Sequence, residues 1–266
     1  MSFTWYTGDP TYDTVLTVAF AYVAFVSVAS WFFPSPYGRF DNKKFGLALD
    51  PRLGWFLMEL PATLSFLYFF SKGEHRTELV PRIFLGMWLL HYSNRGFIFP
   101  MLMRVPKGAS ASFSLMLVVI GWSATTLHGY LHATFISSLG THFTPAWLTD
   151  PRFIVGAAIY YTALIGNLHS DAILRNLRTP KEVASGARVY RIPQGGLFRY
   201  VSNPSYLTEL IAWAGFAICT WSLAGVFILT LSAANLVPRA ISTHRWYRER
   251  FPDYPPERRA IIPFLW

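Results

Sequence analysis

Residues 167–209 read NLHSDAILRNLRTPKEVASGARVYRIPQGGLFRYVSNPSYLTE. The stretch leaves one apolar segment and crosses a loop dense in arginine and tyrosine. It then passes the Gln194-Gly195-Gly196 turn and re-enters apolar sequence at Tyr206. A polar mouth between two apolar runs is the pattern of a site set at one face of a bilayer. Its arginine forks suit phosphate groups.

The rest of the chain fits that setting. Of 266 residues, 53% are hydrophobic, 18% aromatic and only 14% charged, whereas soluble domains carry about 25% charged residues. The composition predicts an all-α, polytopic integral-membrane protein, a single domain over 1–266. The net charge of +9 reads as basic loops on one side of a membrane. Nucleic acid is not expected as a partner, because no basic amphipathic helix or reader motif is present. The lone Cys219 excludes a disulfide framework and a thiolate metal site. Asp9 and Asp13 precede the first apolar run and no basic segment opens the chain, so that run reads as a retained helix and not a cleaved signal.

A membrane helix needs about 20 mostly apolar residues. Seven candidates follow. They run from Tyr12 to Phe33 (ending at Pro34), Leu53 to Phe70, Pro81 to Met103, Phe113 to Ile136 and Arg152 to Ala172. The last two lie within Tyr206 to Val237, split near Thr220 to Leu223. Basic clusters follow the odd-numbered spans: Arg39, Lys43, Lys44 and Arg52; Arg104 and Lys107; Arg175, Arg178, Lys181, Arg188, Arg191 and Arg199; Arg239, Arg245, Arg248, Arg250, Arg258 and Arg259. They predict an amino end outside or in the lumen and a carboxyl end in the cytosol. Lys72, Arg76 and Arg82 are the exception, partly offset by Glu74 and Glu78. The tail FPDYPPERRAIIPFLW is proline-rich yet apolar at its end, and is expected to pack back on the protein or the membrane surface.

Several polar residues sit where hydrocarbon is expected. Glu59 lies inside WFLMELP; a carboxylate there costs several kcal/mol unless paired, protonated or hydrated. When protonated it can donate a hydrogen bond. His91, Tyr92, Asn94 and Arg95 interrupt LLHYSNRGF, and the Tyr92 phenol can polarise a carbonyl oxygen. His128 and His132 share a helix face, but without a further ligand or an HExxH pattern they read as interior histidines, and no metal is expected. Asp171 can accept from ribose hydroxyls, with Asn167 and His169 beside it. Arg178, Tyr190 and Arg191 follow. Glu209 opens the sixth span beside Ser205, and Arg239, His244 and Tyr247 follow the seventh. No GxGxxG is present, so any dinucleotide would be held by helix ends and loops, not by a Rossmann turn.

The segments NLHSDAILRNLR, YRIPQGGLFRYVSNPSYLTE and RAISTHRWYRERFPDYPPERRAIIPF, in this order, resemble the carboxyl half of the steroid 5α-reductases, most of all the type 2 enzyme. WFLMELP and LLHYSNR resemble that family's second- and third-helix motifs. The resemblance runs from about Pro51 to the end. It implies seven membrane helices, NADPH as hydride donor and a 3-oxo-Δ4 steroid entering from the lipid. It also implies that Glu59 and Tyr92 bind the substrate ketone, with Met58 beside them. Asn167, Asp171, Arg178, Tyr190, Arg191, Ser205, Arg239 and Tyr247 would line the NADPH site, with Arg95 and Glu209 contributing. Met58 stands where the type 2 pattern has Gln, Ser205 where it has Asn, and Thr243 where it has His.

Two other classes share parts of this pattern. One is another membrane enzyme: a reductase of enoyl-CoA or of a different sterol double bond, or an isoprenylcysteine-type methyltransferase using S-adenosylmethionine. The other is a seven-helix transporter or receptor, whose polar residues should line a path right across the bilayer; here they crowd toward one side.

Overall fold

The computed structural model describes residues 4–32, 47–107, 113–186 and 189–265. Phe33 and Pro34 of the expected first span, and Arg39, Lys43, Lys44 and Arg188 of the expected basic clusters, lie outside these residues. The described chain is mostly helix: α1 (Pro10–Phe32), α2 (Pro51–Lys72), α3 (Leu79–Tyr92), α4 (Phe99–Leu102), α5 (Leu115–Thr134), α6 (Pro151–Asn176), α7 (Pro180–Ser185), α8 (Pro204–Thr220) and α9 (Leu223–Arg250). α3 continues through a wide π turn at Ser93–Ile98 into α4, and α5 continues through another at Phe135–Leu139. The only strands among the described residues are β1 (Ala48–Leu49) and β2 (Phe113–Ser114), an antiparallel clip joining the starts of α2 and α5.

Among the described residues four helices are long and apolar enough to cross a membrane: α1, α2, α6 and α9. Their outward faces are greasy. Val18, Phe25 and Phe32 on α1, Leu64 and Tyr68 on α2, and Ile154 and Ile165 on α6 are exposed. Soluble monomers rarely expose such continuous apolar surface, so these faces fit lipid and a multi-pass membrane protein.

Helix ends follow local chemistry. Asp50 and Asp150 each cap the helix that follows, accepting from the backbone N–H of Arg52 and Arg152, and Pro51 and Pro151 start α2 and α6. The break between α8 and α9 falls at the expected place. Trp221 turns the chain with φ of 45°, and Ser222 caps α9 by accepting from Gly225. α9 does not end near Val237. It passes Pro238 and runs to Arg250, so Arg239, His244 and Tyr247 belong to a helix and do not follow one. Burial of Arg239, Ala240, Thr243 and Tyr247 outweighs the backbone hydrogen bond lost at the proline. α6 likewise runs past Ala172 to Asn176 and takes Arg175 into the helix.

The core is aromatic and centres on Trp88, whose ring stacks on Phe66 at 4.2 Å and whose Nε1 donates to Ala62 O. α6 meets α8 backbone to backbone. A Cβ on Gly156 would lie 2.4 Å from the Cys219 nitrogen, and one on Gly215 would lie 2.6 Å from the Tyr160 nitrogen. Small residues permit such close approach where no hydrophobic force drives helices together in lipid. The tail folds back, as its composition predicts. Ser202 N donates to Arg259 O and Arg259 N to Tyr200 O, while Arg258 donates to Pro193 O and to Gln194 Oε1.

Gly215→Ala should therefore lower the thermal midpoint of detergent-purified protein, at a cost of about 1–3 kcal/mol. Gly86→Ala is the control, since nothing lies within 4 Å of a Cβ there; it should leave the midpoint unchanged or slightly raised. Equal melting of both variants would contradict this packing.

Candidate functional site

The C-terminal parts of α6 and of the α3–α4 run, the first turns of α8 and the first half of α2 carry polar side chains that meet inside the bundle. Glu209 sits at their centre. Trp213 Nε1 donates to Glu209 Oε1 at 3.0 Å and Asn167 Nδ2 to Oε2 at 3.3 Å. His91 Nε2 lies 3.4 Å from Oε1. Asn167 also donates to Ser205 O at 2.9 Å. One helical turn on, Asp171 Oδ1 accepts from Ser205 Oγ at 2.6 Å, while its Oδ2 is buried without a hydrogen-bond partner in the protein. Arg95 and Arg175 lie within electrostatic range of that carboxylate.

Glu59 reaches the same layer from α2. It abuts the π turn, because a Cβ on Gly96 would sit 3.4 Å from Glu59 Cβ. Arg95, Glu209 and His91 all lie within its electrostatic range. The π turn, a feature often found at functional sites, aims Arg95 so that its guanidinium carbon lies 4.6 Å from the Trp55 ring centre and 5.1 Å from that of Phe99. Tyr92, 4% exposed, stands among Trp88, His91, His128 and Trp213, with Glu59 in electrostatic range. Met58 packs against α5, where a Cβ on Gly121 would fall 2.3 Å from Met58 Cγ.

Two further groups lie nearby. In the 177–191 loop the Arg178 guanidinium covers the Tyr190 ring at 5.6 Å, and its Nε donates to Val189 O. Arg191 pairs with Glu182 and donates to Leu177 O. On α9, Arg239 Nε donates to the Tyr206 hydroxyl at 2.9 Å, one residue from Ser205. Trp246 joins the two groups, with its ring against both Tyr190 and Tyr247. His169 stands apart from Asp171. It is exposed, packs on Gly196, and lines an outer cleft of about 470 Å³ together with Asn176, Arg191 and Gln194. Among the described residues no group of three His, Cys, Asp or Glu is disposed to hold a metal ion.

Residues 111–266 match the family model described as 3-oxo-5-alpha-steroid 4-dehydrogenase. The chain belongs to this family. Members similar over most of their length include "3-oxo-5-alpha-steroid 4-dehydrogenase 1" of Rattus norvegicus, 37% identical with 92% of each chain covered. The Mus musculus protein of the same name is 39% identical with the same coverage. "Steroid 5-alpha-reductase DET2" of Solanum lycopersicum is 34% identical, covering 88% of this chain and 89% of its own.

Some site neighbours of this 3-oxo-5-alpha-steroid 4-dehydrogenase family member were not legible beforehand. Trp213, Thr208 and Tyr206 are single polar-tipped residues in an apolar helix, and nothing in their spacing marks them. Only the crossing of α6 on α8 brings Thr208 to Asn167, Tyr206 meets Arg239 across α8 and α9, and Trp213 meets Glu209 one turn along its own helix. Trp55 and Phe99, which sandwich Arg95, carry no signal apart from being aromatic.

The Glu182–Arg191 pair gives a pH test. The guanidinium, together with the Thr179 backbone N–H, lowers the Glu182 carboxyl from 4.5 to about 2. A carboxyl lowered on folding contributes stability above its ordinary value and loses it as pH falls toward its folded value. The thermal-midpoint difference between wild type and Glu182→Gln should therefore be constant above pH 4.5 and shrink toward pH 2. A difference that persists unchanged at low pH would mean that the ion pair does not hold this loop.

Proposed function

We propose that this chain is an NADPH-dependent 3-oxo-5α-steroid 4-dehydrogenase, a steroid 5α-reductase that reduces the Δ4 double bond of 3-oxo-Δ4 steroids taken from the lipid. The observation that supports this best is the one layer in which buried Tyr92 and half-buried Glu59 and Arg95 share electrostatic range, inside a member of this family. An enone accepts hydride poorly until its oxygen is polarised. The Tyr92 phenol and a protonated Glu59 would hydrogen-bond that oxygen and stabilise the negative charge that grows there, as oxyanion donors do. The α-carbon then takes a proton, from Tyr92 or from water.

The residues fit a phosphorylated dinucleotide. Asp171 Oδ2 is a buried acceptor with no protein partner, as a ribose hydroxyl or carboxamide requires. Arg95 and Arg175 lie within electrostatic range of it, and further arginines stand on the 177–191 loop, at Arg178 and Arg191, and on α9, at Arg239. Asn167, Asp171, Ser205 and Glu209 would hold the nicotinamide end, and Arg178, Tyr190, Arg191, Arg239 and Tyr247 the phosphate and adenosine end. Bound there, NADPH would supply the hydride to the β-carbon of the enone.

We read seven spans: α1, α2, the α3–α4 run, α5, α6, α8 and α9. The amino end would face outside or the lumen and the carboxyl end the cytosol. The polar layer continues through Asp171 and Ser205 toward the end of α6 that leads into the 177–191 loop. That supports a site reached by cofactor from the cytosol and by substrate from the bilayer, and not a path across the membrane.

Incubating purified protein with NADPH and a panel of 3-oxo-Δ4 steroids should give products heavier by two hydrogens in mass spectrometry. Glu59→Gln and Tyr92→Phe should each lower kcat by about 10²–10³ while NADPH affinity stays within a few-fold. Normal turnover by both variants would sink the role given to these residues. No product from wild type with any steroid would sink the activity.

A further inference from the structure

Beyond Tyr92, away from the arginines, α2, α3 and α5 bury polar atoms that the mechanism above does not use. His91, His128 and His132 are 4%, 1% and 1% exposed. His128 has no hydrogen-bond partner in the protein at either ring nitrogen, and His132 Nε2, His91 Nδ1 and Thr63 Oγ1 are equally unpartnered. The rings are neighbours, with His128 4.5 Å from His132 and 6.0 Å from Tyr92, and Tyr92 5.1 Å from His91. Leaving one such group unsatisfied costs about 1–3 kcal/mol, so a fold that buries this many together has another partner for them.

The free atoms are chemically complementary. His132 uses Nδ1–H on His128 O at 3.0 Å, which leaves a lone pair on Nε2. His91 directs Nε2–H at Glu209, which leaves a lone pair on Nδ1. Neutral His128 has one N–H and one lone pair, both uncommitted. Water is the small molecule that accepts from one of these groups and donates to the others, and buried water is found at such polar clusters. The cluster lacks the disposition for a metal ion among the described residues.

Resting on the reductase reading above, we propose that His91, His128 and His132 form a buried hydration site behind Tyr92 that returns a proton to the phenol after each turnover, with His128 as its central positioning residue. Reducing an enone consumes one hydride and one proton. When the proton that ends on the α-carbon leaves Tyr92 Oη, the tyrosinate takes a proton from the adjoining water. The next water, held by the other His128 nitrogen beside His132, passes a proton to it, and His128 keeps its own N–H throughout as the group that positions both waters. Both imidazole and phenol end neutral, and the net proton comes from solvent.

His128→Phe keeps the ring and removes the nitrogens, whereas His128→Gln keeps a donor and an acceptor. We expect His128→Phe to lower kcat about tenfold or more, with KM for the steroid and NADPH affinity within twofold of wild type. Its solvent deuterium isotope effect on kcat should rise as proton return becomes limiting. His128→Gln should recover most of kcat. An experimental density map of the wild type, at a resolution that shows ordered water, should contain water within hydrogen-bond distance of His128 and of Tyr92 Oη. A wild-type kcat and isotope effect in His128→Phe, or a dry cluster in that map, would overturn the proposal. If His128→Phe does not fold, His128→Gln and the map still decide it. Wild-type turnover in the same assay separates this outcome from failure of the reductase reading, which would show as no product at all.

Discussion

A carboxylate placed among apolar helices must find its hydrogen bonds inside the protein, and Glu209 finds them on three elements: Trp213 on its own helix α8, Asn167 on α6 and His91 on α3. In hydrocarbon an unsatisfied charge costs several kcal/mol, so this one residue sets the depth at which the three helices align. Asp171 and Ser205 repeat the device one turn nearer the arginine-rich end. Together the two carboxylates hold α6 and α8 in one register. The glycine contact between Gly156 and Gly215, at the far end of the same pair, lets the backbones close.

The opposite wall of the site is held by aromatic packing. Trp88 takes Phe66, His128, His132 and Tyr92 around its ring, which gives Tyr92 rigid neighbours on α3 and α5. The π turn at Ser93–Ile98 shifts the helix phase just after Tyr92 and swings Arg95 into the slot between Trp55 and Phe99. In a regular helix Arg95, three residues on, would share the face of Tyr92; the wider turn rotates it off that face toward Trp55 and Phe99. At the arginine-rich end the tail acts as a clasp. Arg258 grips Pro193 and Gln194, and Asn203 donates to both Ala240 and Ala260. The IPQGG turn, the start of α8 and the end of α9 are thereby tied into one rim around the polar layer.

Much of this was legible from residue order. Apolar runs of membrane length, the break near Trp221, the proline starts of α2 and α6 and the folded-back tail are local or compositional properties, readable because each depends on neighbours in the chain. Glu59, Tyr92, Asn167 and Asp171 stood out for a related reason: polar side chains in hydrocarbon are costly and rarely idle. The end of α9 was not legible, because Pro238 signals a stop that packing of Arg239, Ala240, Thr243 and Tyr247 overrides. His128 and His132 are interior, as their shared face without a further ligand predicts, but the lack of protein partners at their ring nitrogens depends on which residues pack around them.

The amino-acid sequence by itself determined a helical membrane protein of this family with its polar residues gathered toward one side, because hydropathy and motif order are carried by the chain alone. Only the tertiary structure decided which polar atoms meet. Glu209 faces His91 instead of solvent, Arg191 is engaged by Glu182, and His91, His128 and His132 gather beside Tyr92. The Glu182–Arg191 and His91–Glu209 pairings join residues nine and more than a hundred positions apart, and the arrangement as a whole depends on how helices cross and where one turn of α3 widens. No local property of the chain encodes that geometry.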